Sequence, residues 1–387
     1  MHIIYDDFFL KHSAGDFHPE NAARVMAIME KLKSVEGHQK SFNYVKPFPA
    51  GMDLLTIVHD EGYILKVKEL SGSGASYYLD PDTMVSEHTY ECACLAAGAA
   101  VTGVEILLEN RLGANGRDCM ADSFFAPVRP PGHHAFSGKG SGFCIFNNIA
   151  IAAMHALNKY KLERIAIIDF DVHHGNGTQE IFYEEPRVFY VSLHQYPHYP
   201  GSGCYTETGK GRGKGYNMNI SLTPFSTEAD YITAFLEIIL PVLARYAPQL
   251  ILVSAGYDGH IDDNLSDMEL ESSSYYKISR IIKIINHLSK IKNKSGQNGT
   301  GIGFILEGGY SLSALAESVA ETLRAAEYED TFNTGEFLNK DISGLINCMK
   351  DFFLSGGPGI LSANRQNRII FENLKGIFLQ GEKDWAL

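Results

Sequence analysis

The chain has 387 residues, 45% of them hydrophobic and 20% charged, with a formal net charge of −13. That length accommodates one large α/β domain or two smaller ones. The acidic balance argues against direct nucleic-acid binding and mildly favours cationic substrates. No run of eighteen apolar residues and no charged-then-apolar leader stands out, so neither a membrane span nor a secretory signal is expected. The cysteines (Cys92, Cys94, Cys119, Cys144, Cys204 and Cys348) form no C-x-x-C pair, which suits reduced thiols in a cytoplasmic enzyme better than a disulfide framework.

In chain order, helical periodicity covers 18–33 and 87–109, followed by a strand-like run at 123–128, a helix at 147–160 and strands at 164–170, 187–193 and 216–222. A helix at 227–246, a strand at 249–255, a helix at 273–290, a strand at 303–306 and a helix at 311–326 complete the alternation. This order predicts an α/β fold, an open parallel sheet with helices on both faces. Residues 293–300 read as a polar loop too short to separate domains, and the part from about 327 onward reads as helices packed on the body. The whole of 1–387 is therefore expected to be a single domain.

The run RIAIIDFDVHHGNGTQE, residues 164–180, ends an apolar β-branched strand with acids and histidines. Side chains alternate along a strand, so Asp169, Asp171 and His173 are expected to point one way. Buried carboxylates beside an imidazole repel one another unless a cation sits among them, and a divalent metal meets that need. The bland alternative is a polar strand end in solvent. In open parallel sheets ligands gather at the carboxyl ends of strands. Asp258 follows the strand 249–255, Tyr310 follows 303–306 on a Gly-Gly turn, and His133 and His134 follow 123–128 after a Pro-Pro-Gly bend. Taken singly, Asp258 could be a turn former, Tyr310 a surface aromatic and the histidine pair a polar loop. Their convergence on one edge favours a site.

Five separated stretches, RPPGHHAFSGKGSGFCIFNNIAIAA, IDFDVHHGNGTQEIFY, YVSLHQYPHYPGSG, SAGYDGHIDDNL and LEGGYS, resemble the histone deacetylase superfamily of metal-dependent amidohydrolases over about residues 5–326. The RPPGHH and HHGNG forms look more like its class II and bacterial members, which include acetylpolyamine amidohydrolases. The resemblance implies the arginase-like α/β fold. It implies Zn2+ ligands at Asp171, His173 and Asp258, with an open position for water and substrate. The oxygen-rich set would also suit Fe2+ or Co2+. Asp169 then becomes the hydrogen-bond partner of His133 and part of a structural K+ site with Asp171, His173, Ser192 and Leu193. Phe182, Val188 and Tyr216 match a second, weaker K+ site.

The same resemblance implies that the metal lowers the pKa of a water and polarises the acyl oxygen. His134 would be the general base, oriented by Asn176, with His133 an electrostatic partner. Tyr310 would donate to the oxyanion. Gly142, Phe143 and Tyr199 would shape a narrow tunnel for an acyl-lysine stem, and Leu265 would stand at its mouth, where a polyamine-selective relative has a glutamate. His174 reads as a packed structural histidine. Arg24 matches an arginine near an internal exit channel, with a surface salt bridge as the alternative. The expected activity is zinc-dependent hydrolysis of N-acyl amides, foremost ε-acetyl-lysine in proteins or peptides. Acetylpolyamines or another small acylated amine form the alternative substrate class, and an inactive acyl-lysine-binding module is disfavoured by the intact ligand set, His134 and Tyr310. A ureohydrolase of the same fold would need two manganese ions, and the Gly-Gly-Tyr turn speaks against it. No nucleic acid or membrane partner is expected, and the oligomeric state is left open.

Overall fold

The computed structural model of the protein describes residues 1–36, 42–109, 122–293, 301–328 and 363–379, together with 344, 346, 347, 349, 350 and 353. Its frame is an eight-stranded sheet built from β1 (His2–Ile4), β2 (Asn43–Val45), β5 (Ser123–Ala126), β6 (Ile165–Asp169), β7 (Val188–Gln195), β8 (Asn217–Leu222), β9 (Leu250–Ala255) and β10 (Ile302–Leu306). The spatial order is β2-β1-β5-β10-β9-β6-β7-β8, and every pairing is parallel. A separate antiparallel pair, β3 (Tyr77–Asp80) and β4 (Thr83–Val85), stands apart from it.

Both faces of the sheet are covered, which explains why its strands read as continuous apolar runs. Within β6, Ala166 and Ile168 enter one core with residues of α1 (Ala22–Glu36), α9 (Ser272–Lys292) and α10 (Leu312–Glu327). Ile165 and Ile167 enter the other with the short α2 (Met52–Leu55), α3 (Glu61–Gly72), α4 (Thr89–Glu109) and α5 (Asn148–Lys159). The arrangement agrees with the open parallel sheet expected from sequence.

Several local expectations change. Helix α1 begins at Ala22 rather than 18, since His18 precedes Pro19 and is disfavoured in helical geometry; Asn21 caps the helix by accepting from Ala23 N at 3.0 Å. The helix expected over 227–246 is broken into α7 (Glu228–Ala234), a π turn (Phe235–Ile239) and α8 (Leu240–Tyr246). Pro241 lacks an N–H, so the ladder loses a rung there and widens, with Leu240 N bonding Phe235 O. Helix α4 is long and apolar enough to cross a membrane, contrary to the expectation that no such segment exists, but 83% of its apolar window is buried inside the fold. Residues 294–300, Cys119 and Cys348 lie outside the described residues, as does most of the region after 328, where a helix Arg365–Phe378 packs Phe371, Leu374 and Phe378 into the first core.

The strand order places a crevice. From β9 the chain proceeds to β10 on one side, and from β6 it proceeds to β7 on the other, so the loops leaving these two neighbours diverge. Such a switch point opens a cleft at the carboxyl ends. Because Ile167 is fully buried at the centre of this frame, Ile167→Ala is expected to lower the free energy of unfolding by about 2–5 kcal/mol, measured by equilibrium urea denaturation.

Candidate active site

Strand β6 ends at Asp169, so Asp171 and His173 are not placed by strand alternation as the sequence suggested. Two overlapping Asx turns place them instead: Asp169 Oδ1 accepts from Asp171 N at 3.2 Å, and Asp171 Oδ1 accepts from His173 N at 2.9 Å. Across the crevice, Asp258 Oδ1 accepts from Val172 N at 3.0 Å, and Gly308 N donates to Asp171 Oδ2 at 2.8 Å. These bonds aim the remaining atoms at one point. His173 Nδ1 lies 3.1 Å from both Asp171 Oδ1 and Asp258 Oδ2.

Atoms bound about 2.0–2.2 Å from one zinc ion stand roughly 3–3.6 Å from one another, so the donor set and its spacing fit a divalent metal. The electrostatics agree. Burial, then the Asp171 carboxylate, pushes Asp258 up to about 6. Burial opposes the charged form of Asp171 too, and the imidazoles of His133 and His173 hold it well below the usual carboxylate range. A cation between the two acids would relieve their repulsion. The cradle admits no larger backbone: a Cβ on Gly308 would stand 2.0 Å from Asp258 Oδ2, and one on Gly256 2.0 Å from Asp171 Oδ2.

The tandem histidines follow β5. His134 Nδ1 lies 2.8 Å from Asn176 Oδ1, at the start of α6 (Asn176–Phe182). An amide oxygen only accepts, so the proton sits on Nδ1 and the Nε2 lone pair is free to act as a base. Burial, then His133 and His173, keeps the ring neutral by lowering its pKa well below the ordinary value. His133 has the opposite character. Burial would lower it, but Asp171, Asp169 and Glu307 outweigh that and raise it to about 10. Its Nδ1 pairs with Asp169 Oδ2 at 3.2 Å, and Tyr190 donates to the same oxygen at 2.9 Å. Glu307 holds the histidine loop by accepting from Gly132 N at 2.7 Å and His133 N at 3.1 Å. His133, Cys144 and Glu307 also form a buried trio of ligand types, but these bonds and the Cys144 Sγ contact to Gly142 O at 3.3 Å make them the site's wall.

Tyr310 sits on a loop fixed from several directions. Arg24 is fully buried, not a surface salt bridge; its guanidinium donates to Gly309 O at 2.6 Å and Glu307 O at 2.5 Å and lies 4.9 Å from the Tyr310 ring centre. Gly309 adopts φ +113°, a conformation that favours glycine. The Tyr310 ring packs edge-on to Phe143 at 5.9 Å, and Tyr199 packs edge-on to His134 at 5.2 Å. The intervening Gly142 has no room for a side chain, since a Cβ would meet His134 Cδ2 at 2.5 Å. Gly142 N and Phe143 N are held by Asp80 Oδ2 (3.2 Å) and Thr83 Oγ1 (3.0 Å) of the β3–β4 pair.

The residues expected from sequence to act on metal or substrate therefore gather at the carboxyl ends of the strands, whereas Val188 and Tyr216 of the second expected cation site stand at the opposite ends, where Val188 opens β7 beside Ile165 and Tyr216 precedes β8. Ser192 is the cross-strand partner of Asp169, with Leu193 next along β7. Leu265 O accepts from His198 Nε2 at 3.0 Å, and the His198 ring stacks on His173 at 5.2 Å. His174 is packed, bonded to Ser202 Oγ at 2.8 Å and Gln179 Oε1 at 3.0 Å. Sequence reasoning missed Glu307, Tyr190 and His198. Glu307 lay within the LEGGYS stretch and both Tyr190 and His198 within YVSLHQYPHYPGSG, so the signal was in the quoted stretches although none of the three was given a role there.

A parallel α/β sheet whose switch-point crevice gathers two carboxylates, an imidazole within 3.1 Å of both and a neutral histidine with a free ring nitrogen has the equipment of a hydrolase. Residues 18–326 match the family model of the histone deacetylase domain, and the chain belongs to the histone deacetylase family. It is 37% identical over 340 residues to histone deacetylase 14, chloroplastic, of Arabidopsis thaliana, covering 83% of this chain and 75% of that protein. It is 35% identical over 282 residues to polyamine deacetylase HDAC10 of Danio rerio, covering 70% of this chain and 39% of that protein. The crystal structure of the HDA15 HD domain superposes with a TM-score of 0.79 at 26% identity, over 98% of this chain and 95% of that one. The protein is thus a deacetylase-type hydrolase acting on amides.

Gly308→Ala tests the cradle. The added carbon would fall on Asp258 Oδ2 and within 2.6 Å of Asp171 Oδ2. The variant is expected to purify folded by circular dichroism, with bound divalent metal reduced to a small fraction of the wild-type content.

Proposed function

We propose that the protein is a zinc-dependent deacylase that hydrolyses N-acyl amides, foremost ε-acetyl-lysine in proteins or peptides. The observation that carries the reading is the convergence of Asp171, His173 and Asp258 on one point beside His134, whose bond to Asn176 leaves Nε2 free. Those three residues would hold Zn2+, which would supply Lewis acidity toward the acyl carbonyl and toward a water.

The chain's own residues do the rest. His134 Nε2 takes the proton of the attacking water and returns it to the leaving amine, which departs as a neutral amine instead of an amide anion. The His133 imidazolium, paired with Asp169, holds His134 neutral and places positive charge near the developing oxyanion. Tyr310 donates its hydroxyl to that oxyanion. Phe143 and Tyr199 flank the acyl-lysine stem with aromatic surface, and Gly142 stands between them. Asp169, Asp171, His173, Ser192 and Leu193 would hold a structural K+ through their oxygens, a role compatible with the pairing of Asp169 and Ser192.

Removing divalent metal with a chelator is expected to abolish release of acetate from an acetyl-lysine peptide, and added Zn2+ or Co2+ to restore it. Full turnover in metal-free protein would overturn the reading.

A second substrate class, acetylated polyamines, is favoured by the likeness to a relative named polyamine deacetylase. Leu265 argues for the peptide, since leucine at the mouth offers no attraction to a distal ammonium. We expect kcat/KM for an acetyl-lysine peptide to exceed that for N8-acetylspermidine, and Leu265→Glu to shift the ratio toward the polyamine by about ten- to hundredfold, the scale of a hydrogen bond to a charged group. A wild-type preference for the polyamine by that margin would transfer the assignment to small acylated amines.

A further inference from the structure

Asp263 stands five residues after Asp258 and beside the exposed Asp262, and the sequence offers no distinction between the two neighbours. The fold separates them sharply. The Asp262 side chain is 70% exposed, whereas Asp263 is 4% exposed. Asp263 Oδ2 accepts from Tyr310 N at 2.5 Å and Ser311 N at 3.1 Å, and its Oδ1 accepts from Leu265 N at 3.1 Å. Ser311 is the N-cap of α10 and makes no side-chain capping bond of its own. The Asp263 carboxylate therefore serves the positive end of that helix from another loop, where charge-assisted bonds are strongest.

Position matters here because of what precedes Tyr310. Gly308 and Gly309 leave the backbone free to swing, and Gly309 already sits at φ +113°. Arg24 fixes the loop upstream, at Glu307 O and Gly309 O, and Asp263 fixes it at the tyrosine's own N–H. The second oxygen of the same carboxylate fixes Leu265, whose carbonyl accepts from His198, the residue stacked on His173.

We propose that Asp263 is a positioning residue: one oxygen sets the backbone of Tyr310 and the other sets Leu265, so that the oxyanion donor and the pocket mouth are held in register by a single carboxylate. The inference rests on the proposed role of Tyr310. It differs from a purely structural cap in one respect, which is that its catalytic effect must pass through the tyrosine hydroxyl.

A double-mutant cycle on the zinc-loaded enzyme with an acetyl-lysine peptide tests it. Tyr310→Phe is expected to lower kcat by roughly 10²-fold, the effect of losing one oxyanion donor. Asp263→Ala is expected to lower kcat by about ten- to hundredfold, the scale of a small misplacement, with KM changed by less than roughly threefold and full zinc content. In the Tyr310→Phe background, Asp263→Ala is expected to cost little more, because no hydroxyl remains to misplace. Asp263→Asn retains an acceptor oxygen and is expected to lose less than Asp263→Ala; it carries the same cycle should the alanine variant fail to fold. Equal losses in both backgrounds would reduce Asp263 to a helix cap, and an unchanged kcat in a folded Asp263 variant would overturn the inference outright. An unchanged kcat in Tyr310→Phe would instead remove the tyrosine's role, and the inference with it, while leaving the metal-dependent reading to its own test.

Discussion

The fully buried carboxylates of Asp171 and Asp258, brought together on His173 Nδ1, are the constraint on which the rest of the site depends. Removing two such charges from water costs several kcal/mol each unless every lone pair finds a partner. Three backbone N–H groups, of Val172, His173 and Gly308, meet part of that demand and come from the loops after β6 and β10, the strands on either side of β9. A divalent cation held by Asp171, His173 and Asp258 would meet the remainder. The local sequence follows from this geometry, because the backbone must approach the carboxylates closely enough that Gly256 and Gly308 tolerate no side chain.

A second buried cluster holds the loops in place. Glu20 accepts from Arg24 Nη1 at 3.1 Å and from Arg129 Nη2 at 2.8 Å; burial would raise its pKa, and the Arg129 guanidinium holds it well below the carboxylate range. Arg129 also donates to Phe9 O and His12 O, each at 3.1 Å, while Arg24 donates to the carbonyls before Tyr310. The segment ahead of α1 is thereby bonded to both the histidine loop and the tyrosine loop. Breaking one member would leave an uncompensated buried charge, a larger loss than the pair's own net worth. Catalytic geometry in this protein is set by buried ion pairs as much as by the sheet.

Much of this was legible in the sequence because it depends on local pattern. Strands buried on both faces announce themselves as apolar runs, and the residues following them must lie at one edge. What was not legible depends on partners far apart in the chain. Alternation placed Asp171 and His173 in phase with Asp169, yet β6 stops at Asp169 and Asx turns take over, a substitution invisible until the ladder is seen to end. For Arg24 the resemblance implied a place near an internal channel and left a surface salt bridge open, and only its packing under the tyrosine ring shows why a charge is buried there. Asp262 and Asp263 carry the same letter and differ only in which faces the Tyr310 amide.

That difference bears on how substrate is chosen. The protein carries a net charge of −13, which steers cations at long range, but the acids beside the mouth are largely committed to the fold. Asp263 is occupied by Tyr310, Ser311 and Leu265. Asp80 accepts from Gly142 N, and Asp82, pushed up to about 6 by burial and by the Asp80 carboxylate, bonds Thr83 behind the Phe143 wall. Among these acids, Asp262 alone turns outward, and a contact between solvated charges is worth only about 0–1 kcal/mol. On the proposed reading, selection at the mouth would rest on the apolar and aromatic surface of Leu265, Phe143 and Tyr199. Such a surface would reward an aliphatic stem and offer no attraction to an ammonium beyond it, which removes the advantage an acylated polyamine would need.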